Sequence, residues 1–298
     1  MNDFKNINNA QDFKDFHTYL APAKINLFLH ITGQRADGYH TLQSVFEMLD
    51  FYDTLHIKVM QANVVKRVQD MQDVPADEDI CTKAAHALKK ATNCQLGVEY
   101  YVEKKIPMGA GLGGGSSDAA TMLMALNQLW QLNLSRTMLM QIGFTLGADV
   151  PVFIFGQTAW AEGIGEVLSA VNLPPHFKEC YYLVVTPQIH VSTAQVFANT
   201  RLTKDTKPLK IVLFSSGEYL SFFKNDLEKV VCDEFGAVKT VLDWLNSFGD
   251  AKMSGSGASV FITLKSFKLA SELLIKIPAN CTAFVAKGIK FHPHFDLK

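Results

Sequence analysis

The sequence of 298 residues has no strong imbalance of charge. It contains 28 lysines and arginines against 29 aspartates and glutamates, which gives a formal net charge of −1. Proteins that bind nucleic acid or an anionic membrane surface usually carry an excess of basic residues. We therefore expect neither partner, and any affinity for an anionic ligand must come from groups that are placed locally.

Paired cysteines and long apolar runs are also missing. The chain has five cysteines (Cys81, Cys94, Cys180, Cys232 and Cys281), and none of them belongs to a C-x-x-C motif. This pattern predicts neither a disulfide framework nor a zinc site. No apolar run is long enough to span a membrane. The first 19 residues are polar and lack the apolar core of a signal peptide, so we expect a disordered or loosely docked extension and a cytoplasmic protein.

The chain is rich in glycine at one place, where five of its 19 glycines fall within seven positions. The glycine-rich loop consists of Pro107, Met108, Gly109, Ala110, Gly111, Leu112, Gly113, Gly114, Gly115, Ser116 and Ser117. A strand pattern (98–102) precedes the loop, and a helical pattern (119–130) with Ser116 or Ser117 as its cap follows it. Because glycine lacks a Cβ, main-chain N–H groups can approach a phosphate here, next to the positive end of a helix.

Three other interpretations of the loop are less satisfactory. A Walker A loop requires a lysine near its end, and no lysine follows Gly115. Gly109, Gly111 and Gly114 do match the dinucleotide pattern G-x-G-x-x-G, but the segment about 20 residues further on lacks the required acid. A flexible linker is disfavoured because apolar residues are interleaved with the glycines and a helix follows at once.

Polar residues interrupt an apolar strand near the start of the chain. Alternation predicts two faces, one with Lys24, Asn26, Phe28 and His30 and the other with Ile25, Leu27 and Leu29. Lys24 and Asn26 would then project side by side. By themselves they could equally be the solubilising residues of an edge strand.

Two further places carry candidate functional side chains. Tyr39 and His40 follow the turn at Asp37-Gly38, where they could hold a nucleobase or simply pack the hairpin. Asp149 lies between a helix that ends at Gly147 and an apolar run that we expect to begin a strand at Pro151. A turn aspartate that bonds to its own backbone is the alternative at this position.

The order of elements predicts an α+β protein of two domains. We expect the extension over residues 1–19, an N-terminal domain over 20–172 and a C-terminal domain over 173–298, with a linker near Pro174 and Pro175. The second half contains another short glycine loop at 254–257 that leads into a strand.

Several separated motifs together resemble the GHMP kinases, the superfamily of galactokinase, homoserine kinase, mevalonate kinase and phosphomevalonate kinase. The motifs are Pro22–Leu27, Asp37–His40, Pro107–Ser117, Gly147–Pro151, Ser254–Ala258 and Val285–Gly288. The resemblance implies the two-domain GHMP kinase fold, with an N-terminal α/β ATP-binding domain, a C-terminal α+β sandwich and the active site in the cleft between them.

Within that superfamily the motifs are similar to those of the member that acts on a substrate carrying a cytidine diphosphate group. The implied reaction transfers the γ-phosphate of ATP to the 2-hydroxyl of a cytidylyl-methylerythritol, in the methylerythritol phosphate route to isoprenoids. The resemblance assigns Asp149 as the base and Lys24 as the stabiliser of charge. Residues 107–117 would wrap the ATP phosphates, Lys104 would lie near the nucleotide, and Mg²⁺ is expected as a cofactor.

The resemblance also implies an acceptor site. Asn26 and Asp149 would contact the substrate, and Thr193 would contact it near Phe197. Tyr39 and His40 would hold the cytosine ring, and Phe197 would close its other side. The chain departs from the family pattern at Ala110, at Asp79-Ile80 and at Ala194. A GHMP kinase with another acceptor, such as mevalonate or homoserine, and a non-catalytic ATP sensor remain as alternatives. The oligomeric state is left open.

Overall fold

The chain folds around one long antiparallel hairpin in a computed structural model, which describes residues 15–69, 74–217 and 223–297. In chain order the strands are β1 (His17–Gln34), β2 (His40–Met60), β3 (Val65–Arg67), β4 (Gly97–Glu103), β5 (Ala159–Glu162), β6 (Val167–Ala170), β7 (Tyr181–Pro187), β8 (Lys252–Met253), β9 (Val260–Leu264), β10 (Cys281–Ala286) and β11 (Gly288–Ile289). The hairpin is formed by β1 and β2.

The strands form two sheets. In the first, β2 pairs with β1 along one edge and with β4, β11 and β5 along the other, while β3 and β6 extend the sheet at its two ends. The second sheet has the order β10-β7-β9-β8 and is antiparallel. Because β11 returns to β2, the end of the chain is tied to its first hairpin.

Helices cover the outer faces of both sheets. In chain order they are α1 (Ile80–Thr92), α2 (Gly114–Leu129), α3 (Arg136–Phe144), α4 (Val150–Phe155), α5 (Thr193–Ala198), α6 (Ile211–Ser216), α7 (Glu228–Glu234), α8 (Gly236–Asn246) and α9 (Phe267–Leu274). The α+β class predicted from the sequence is confirmed. Within the described ranges, no helix combines the length and the apolarity needed to cross a membrane.

Three large apolar clusters hold these layers together. One packs α1 and α2 against the first sheet and includes Leu88 and Leu123. A second lies between the two sheets and joins Ile25 of β1 to Tyr182 of β7. The third packs α8 and α9 against the second sheet through residues such as Val241. Since one cluster spans both sheets, loops from the two halves of the chain are brought to the same edge.

The alternation predicted for the first strand breaks at a β-bulge between Asn26 and Leu29. Phe28 therefore packs in the same cluster as Ile25 and Leu27, and not on the side of Asn26 as expected. A bulge inserts one extra residue and so reverses the side-chain alternation beyond it. The alternation up to Asn26 is the part that positions the site.

The predicted domain limits stay a prediction. Residues 1–14 of the expected extension lie outside the described residues, whereas its residue His17 is already the first residue of β1 and pairs with Ile57 of β2. The expected boundary near residue 172 falls between β6 and β7.

Candidate active site

The glycine-rich loop joins β4 to α2 and has an alternating backbone. The φ angles are +63° at Gly109, +75° at Gly111 and +71° at Gly113, whereas the two residues between them do not adopt positive φ. Such an alternation turns successive N–H groups toward one side and forms a concavity that binds anions. A side chain is strained at each of these glycines.

Helix α2 begins earlier than the sequence suggested. Its first residue is Gly114 and its N-cap is Gly113, so the prediction that Ser116 or Ser117 caps it is wrong. A left-handed glycine can start the helix directly from the loop, and no side chain bonds to its first turn. The unpaired N–H groups and the positive end of the helix dipole are therefore available to a phosphate.

Lys24 lies next to the loop and connects three parts of the site. Its buried ammonium donates to Asn26 Oδ1 at 2.7 Å and to the carbonyl of Gly111 at 3.1 Å. It also forms an ion pair with Asp149 Oδ2 at 3.3 Å. The sequence had left open whether Lys24 and Asn26 are surface residues, and both prove to be buried. The lysine thus fixes the carboxylate relative to the loop.

Asp149 precedes a helix and not the expected strand. The apolar run from Val150 to Phe155 forms α4, so the strand prediction is wrong. Pro151 is tolerated in the first helical turn, where its missing N–H would have no intrahelical partner. The Asp149 carboxylate makes no capping bond, and its side chain is 37% exposed toward the cavity beside it. The carboxylate is therefore free to meet a ligand.

These groups line one cavity of about 620 Å³. The predicted site residues that line it are Lys24, Asn26, Lys104, Pro107, Met108, Gly109, Ala110, Gly111, Gly113, Gly114, Gly115, Ser116, Asp149, Thr193 and Phe197. Four predicted site residues lie outside its wall: Tyr39, His40, Leu112 and Ser117. Leu112 and Ser117 are fully buried and support the loop from behind.

Aromatic and polar side chains also lie close together at the cavity, where Thr193, Phe197 and Ser256 are part of its wall. The rings of His40 and Phe197 are 5.6 Å apart, and Thr193 Oγ1 lies 2.7 Å from Ser256 Oγ. His40 is 8% exposed, and its Nε2 has no hydrogen-bond partner among the described residues. Burial, and to a lesser extent the charge of Lys204, lowers the pKa of His40, so a neutral ring faces this region at neutral pH.

Tyr39 differs from its neighbour His40 because its side chain is 62% exposed. It follows the turn at Asp37, whose carboxylate accepts the Tyr39 N–H at 3.2 Å. An exposed aromatic ring can stack on a planar ligand without disturbing a core.

Lys104 is held by two aspartates that were not predicted from the sequence as site residues. Its ammonium contacts Asp53 and lies 2.6 Å from Asp118 Oδ2. Burial alone would lower the pKa of Lys104, but the two carboxylates raise it above the ordinary value. The three residues are far apart in sequence, so only the tertiary structure reveals this cluster.

The second glycine loop fastens the first. Ser254 Oγ donates to the carbonyl of Gly111 at 2.9 Å and accepts the N–H of Asn26 at 3.2 Å. The Ser259 N–H donates to the carbonyl of Ala110 at 3.1 Å. The second glycine loop was predicted from the sequence without a role, and its contacts show that it supports the glycine-rich loop.

Replacing Ser254 by alanine should weaken that support. Both partners of the hydroxyl would lose a buried hydrogen bond, which typically costs about 1–3 kcal/mol of stability. We expect a lower melting temperature and a KM for ATP raised by about tenfold, with a smaller change in kcat. Steady-state kinetics with ATP varied checks this result. Ser247→Ala, at an exposed serine of the turn after α8, is the matched control, and an unchanged KM for ATP in Ser254→Ala would contradict the assignment.

The fold and the site together define a class of protein. Residues 79–157 match the family model described as the GHMP kinases N terminal domain, and residues 201–283 match the GHMP kinases C terminal model. A solved mevalonate kinase of Methanococcus jannaschii superposes with a TM-score of 0.67 at 16% identity, over 93% of this chain and 99% of that one. This last likeness concerns the fold alone. The chain is a GHMP kinase.

Relatives of higher sequence identity indicate which family of GHMP kinases the chain belongs to. A 4-diphosphocytidyl-2-C-methyl-D-erythritol kinase of Burkholderia mallei (strain SAVP1) is 49% identical over 93% of this chain and 95% of its own length. One from Janthinobacterium sp. (strain Marseille) is 50% identical over 92% and 94%. A crystal structure of a 4-(cytidine 5'-diphospho)-2C-methyl-D-erythritol kinase matches with a TM-score of 0.76 at 32% identity, over 92% and 100%. Within the GHMP kinases, the chain belongs to this kinase family.

Proposed function

We propose that the chain transfers the γ-phosphate of ATP to the 2-hydroxyl of 4-diphosphocytidyl-2-C-methyl-D-erythritol, giving the 2-phosphate and ADP in the methylerythritol phosphate pathway. The observation that carries the proposal is the ion pair of Lys24 with Asp149 beside the glycine-rich loop. A carboxylate, an ammonium and a phosphate-binding backbone share one cavity. Phosphoryl transfer requires this combination of positioning and charge neutralisation.

ATP binds with its phosphates against the loop. The alternating backbone from Gly109 to Gly113 and the uncapped start of α2 offer main-chain N–H groups to the phosphate oxygens. Lys104 contributes positive charge near the nucleotide and is kept in place by Asp53 and Asp118. The terminal phosphate then points toward Asp149, which lies beyond the loop in the same cavity.

Asp149 and Lys24 act on the transferring group. Asp149 accepts the proton of the acceptor hydroxyl as the new oxygen–phosphorus bond forms and the bond to ADP breaks. Lys24 offsets the negative charge of the moving phosphoryl group, since a fixed ammonium in a partly dry site stabilises such charge. Asn26 orients the acceptor and is itself fixed, because its Nδ2 donates to Ser44 at 2.7 Å.

Mg²⁺ belongs to the proposal as a bound cofactor. Over residues 15–69, 74–217 and 223–297, no group of three or more His, Cys, Asp or Glu side chains is placed to hold a metal ion. Magnesium at kinase sites uses one or two protein oxygens together with phosphates and waters. Ser116 is an oxygen donor on the cavity wall and fits such a role. When bound, the ion would neutralise phosphate charge.

The cytosine ring lies between Tyr39, His40 and Phe197. The neutral ring of His40 lies 5.6 Å from the Phe197 ring and supports it from outside the cavity wall, and the rings of Tyr39 and Phe197 can stack on the base. Thr193 lies next to this group in the cavity wall.

A cytoplasmic location also belongs to the proposal. It is supported by the five cysteines, which are all free.

An acceptor panel tests the proposed substrate. ADP release would be measured with 4-diphosphocytidyl-2-C-methyl-D-erythritol, methylerythritol 4-phosphate, mevalonate and homoserine as acceptors. We expect turnover with the cytidylyl acceptor only, because the other three lack the group that Tyr39 and His40 recognise. Preference for mevalonate or homoserine would refute the proposed acceptor, and ATP binding without turnover on any of them would favour a sensor.

The Tyr39→Ala variant tests the proposed role in cytosine binding. Aromatic stacking on a base is worth about 1–3 kcal/mol, so the KM for the cytidylyl acceptor should rise by about 5- to 150-fold. The KM for ATP should stay unchanged, because Tyr39 does not line the nucleotide end of the cavity. Tyr39→Phe keeps the ring and should behave like the wild type. Equal KM values for the acceptor in both variants would contradict the stacking role.

A further inference from the structure

A second cavity lies behind the active site and shares no lining residue with it. Its volume is about 570 Å³, and its walls come from β2, from the linker between β6 and β7 and from the segment around β11. Phe46 and Glu47 are neighbours on β2 and therefore point to opposite faces of the sheet. Phe46 lines the active-site cavity, and Glu47 lines this second one.

Glu47 is the unusual group of this cavity. The residue is only 2% exposed, and the hydroxyl of Tyr182 donates to its Oε2 at 2.5 Å. Its other oxygen, Oε1, receives no hydrogen bond from the described residues. Oε1 lies so close to Gly288 that a Cβ at that position would stand 1.7 Å from it. A carboxyl is thus buried at the inner wall of a cavity with half of its hydrogen-bonding capacity unused.

The protonation of Glu47 follows from its surroundings. Burial raises the pKa of Glu47 to about 8, and the Tyr182 hydrogen bond opposes this only in part. Because Oε2 accepts from Tyr182, the proton of the neutral acid is on Oε1. The inner wall of the cavity therefore offers a hydrogen-bond donor at neutral pH.

The mouth of the cavity is basic, and its side wall is apolar. Lys178, Lys287 and Lys290 are exposed residues of its lining. The ammonium groups of Lys287 and Lys290 lie over the rings of Tyr181 and Phe291. The acids nearby are Glu179 in the lining and Asp50, whose Oδ1 accepts the Lys287 N–H at 2.6 Å. Leu173 and Ile289 contribute apolar surface between the mouth and Glu47. Three exposed lysines on the lining of one cavity favour an anion.

We propose that this cavity binds a small organic anion, with its phosphate or carboxylate group at the lysines, its aliphatic body along the apolar wall and a polar atom at Glu47. The site is separate from the catalytic cavity and goes beyond the proposed kinase reaction. It would place a ligand on the strand pair that carries Lys24 and Asn26, since Glu47 pairs with Ile25 between them.

Calorimetric titration tests the proposal on the full chain, with ADP and cytidine diphosphate at saturation so that the active site is filled. The probes are pentyl phosphate, hexanoate and inorganic phosphate. We expect at least one organic anion to bind with a Kd of about 1 mM or tighter, and more tightly than inorganic phosphate, because the apolar body adds contacts. Which of the two binds identifies the preferred anionic group. No binding of either would overturn the proposal.

Variants locate the binding. Lys287→Glu combined with Lys290→Glu should weaken binding at least tenfold, whereas Lys268→Glu combined with Lys276→Glu makes the same change in net charge on α9 and just beyond it and should have little effect. Glu47→Leu should weaken binding by a similar factor, and Glu47→Gln should retain it because its amide still donates. If Glu47→Leu does not fold, the lysine pairs decide. Equal weakening by both lysine pairs would overturn the site.

Discussion

Replacing Asp149 by asparagine is expected to lower turnover by about 10²–10⁴-fold while ATP still binds. The amide keeps the size of the side chain but cannot take the proton of the acceptor hydroxyl. Folding should be preserved, because the carboxylate caps no helix and the Lys24 ammonium keeps its bonds to Asn26 and Gly111. Single-turnover kinetics and equilibrium ATP binding on the same preparation measure the two effects separately.

The control for Asp149→Asn is the same change at an exposed aspartate. Asp243 on α8 forms an ion pair with Lys239 at the surface. Because such exposed pairs contribute little, Asp243→Asn should leave turnover within about twofold of the wild type. Turnover close to normal in Asp149→Asn would exclude the proposed role in proton transfer. Loss of ATP binding together with turnover would instead indicate that Asp149 organises the nucleotide site.

Gly111→Ala should have the largest effect on the loop. Residue 111 has a φ of +75°, and a Cβ there would stand 2.3 Å from the carbonyl oxygen of Ser254. The left-handed conformation alone costs alanine about 1–2 kcal/mol. The clash with a backbone atom must in addition displace the second glycine loop. We expect a clear fall in melting temperature and a loss of about 100-fold or more in kcat/KM for ATP, since small misplacements of reacting groups have effects of this size.

Gly115→Ala is the matched control for folding. Gly115 belongs to α2, does not adopt a positive φ, and a Cβ there would meet only Ile80 at 3.9 Å. Thermal denaturation without nucleotide should therefore show Gly115→Ala at or slightly above the wild type. If both variants lose the same stability, the contact between the two glycine loops does not have the importance assigned to it.

The sequence allowed the glycine-rich loop to be predicted because its determinants are local. Five clustered glycines between a strand and a helix require a particular backbone, and that backbone is present. The pairing of Lys24 with Asp149 could be expected only from the family resemblance, since the two residues are far apart in the chain. The structure brings them to 3.3 Å.

The errors also have physical causes. The residues of α4 are all apolar, so their pattern does not distinguish a short helix from a strand. Pro151 is compatible with both. No residue around Asn26 marks the bulge in the sequence, so the reversal of the side-chain alternation could not be predicted. Contacts made by Ser254 to Gly111 and by Asp53 to Lys104 depend on tertiary packing, so no local pattern could have revealed them.

Phosphorus-31 NMR of the reaction mixture examines the central claim directly, because it observes the transferred group itself. With ATP, Mg²⁺ and 4-diphosphocytidyl-2-C-methyl-D-erythritol, the spectrum should develop ADP and a new phosphate monoester resonance in equal amounts, while the diphosphate bridge of the acceptor stays intact. Asp149→Asn should show neither change on the same time scale. ADP that accumulates with inorganic phosphate and without the new ester would contradict the account, because the cavity would then hydrolyse ATP and not phosphorylate the acceptor.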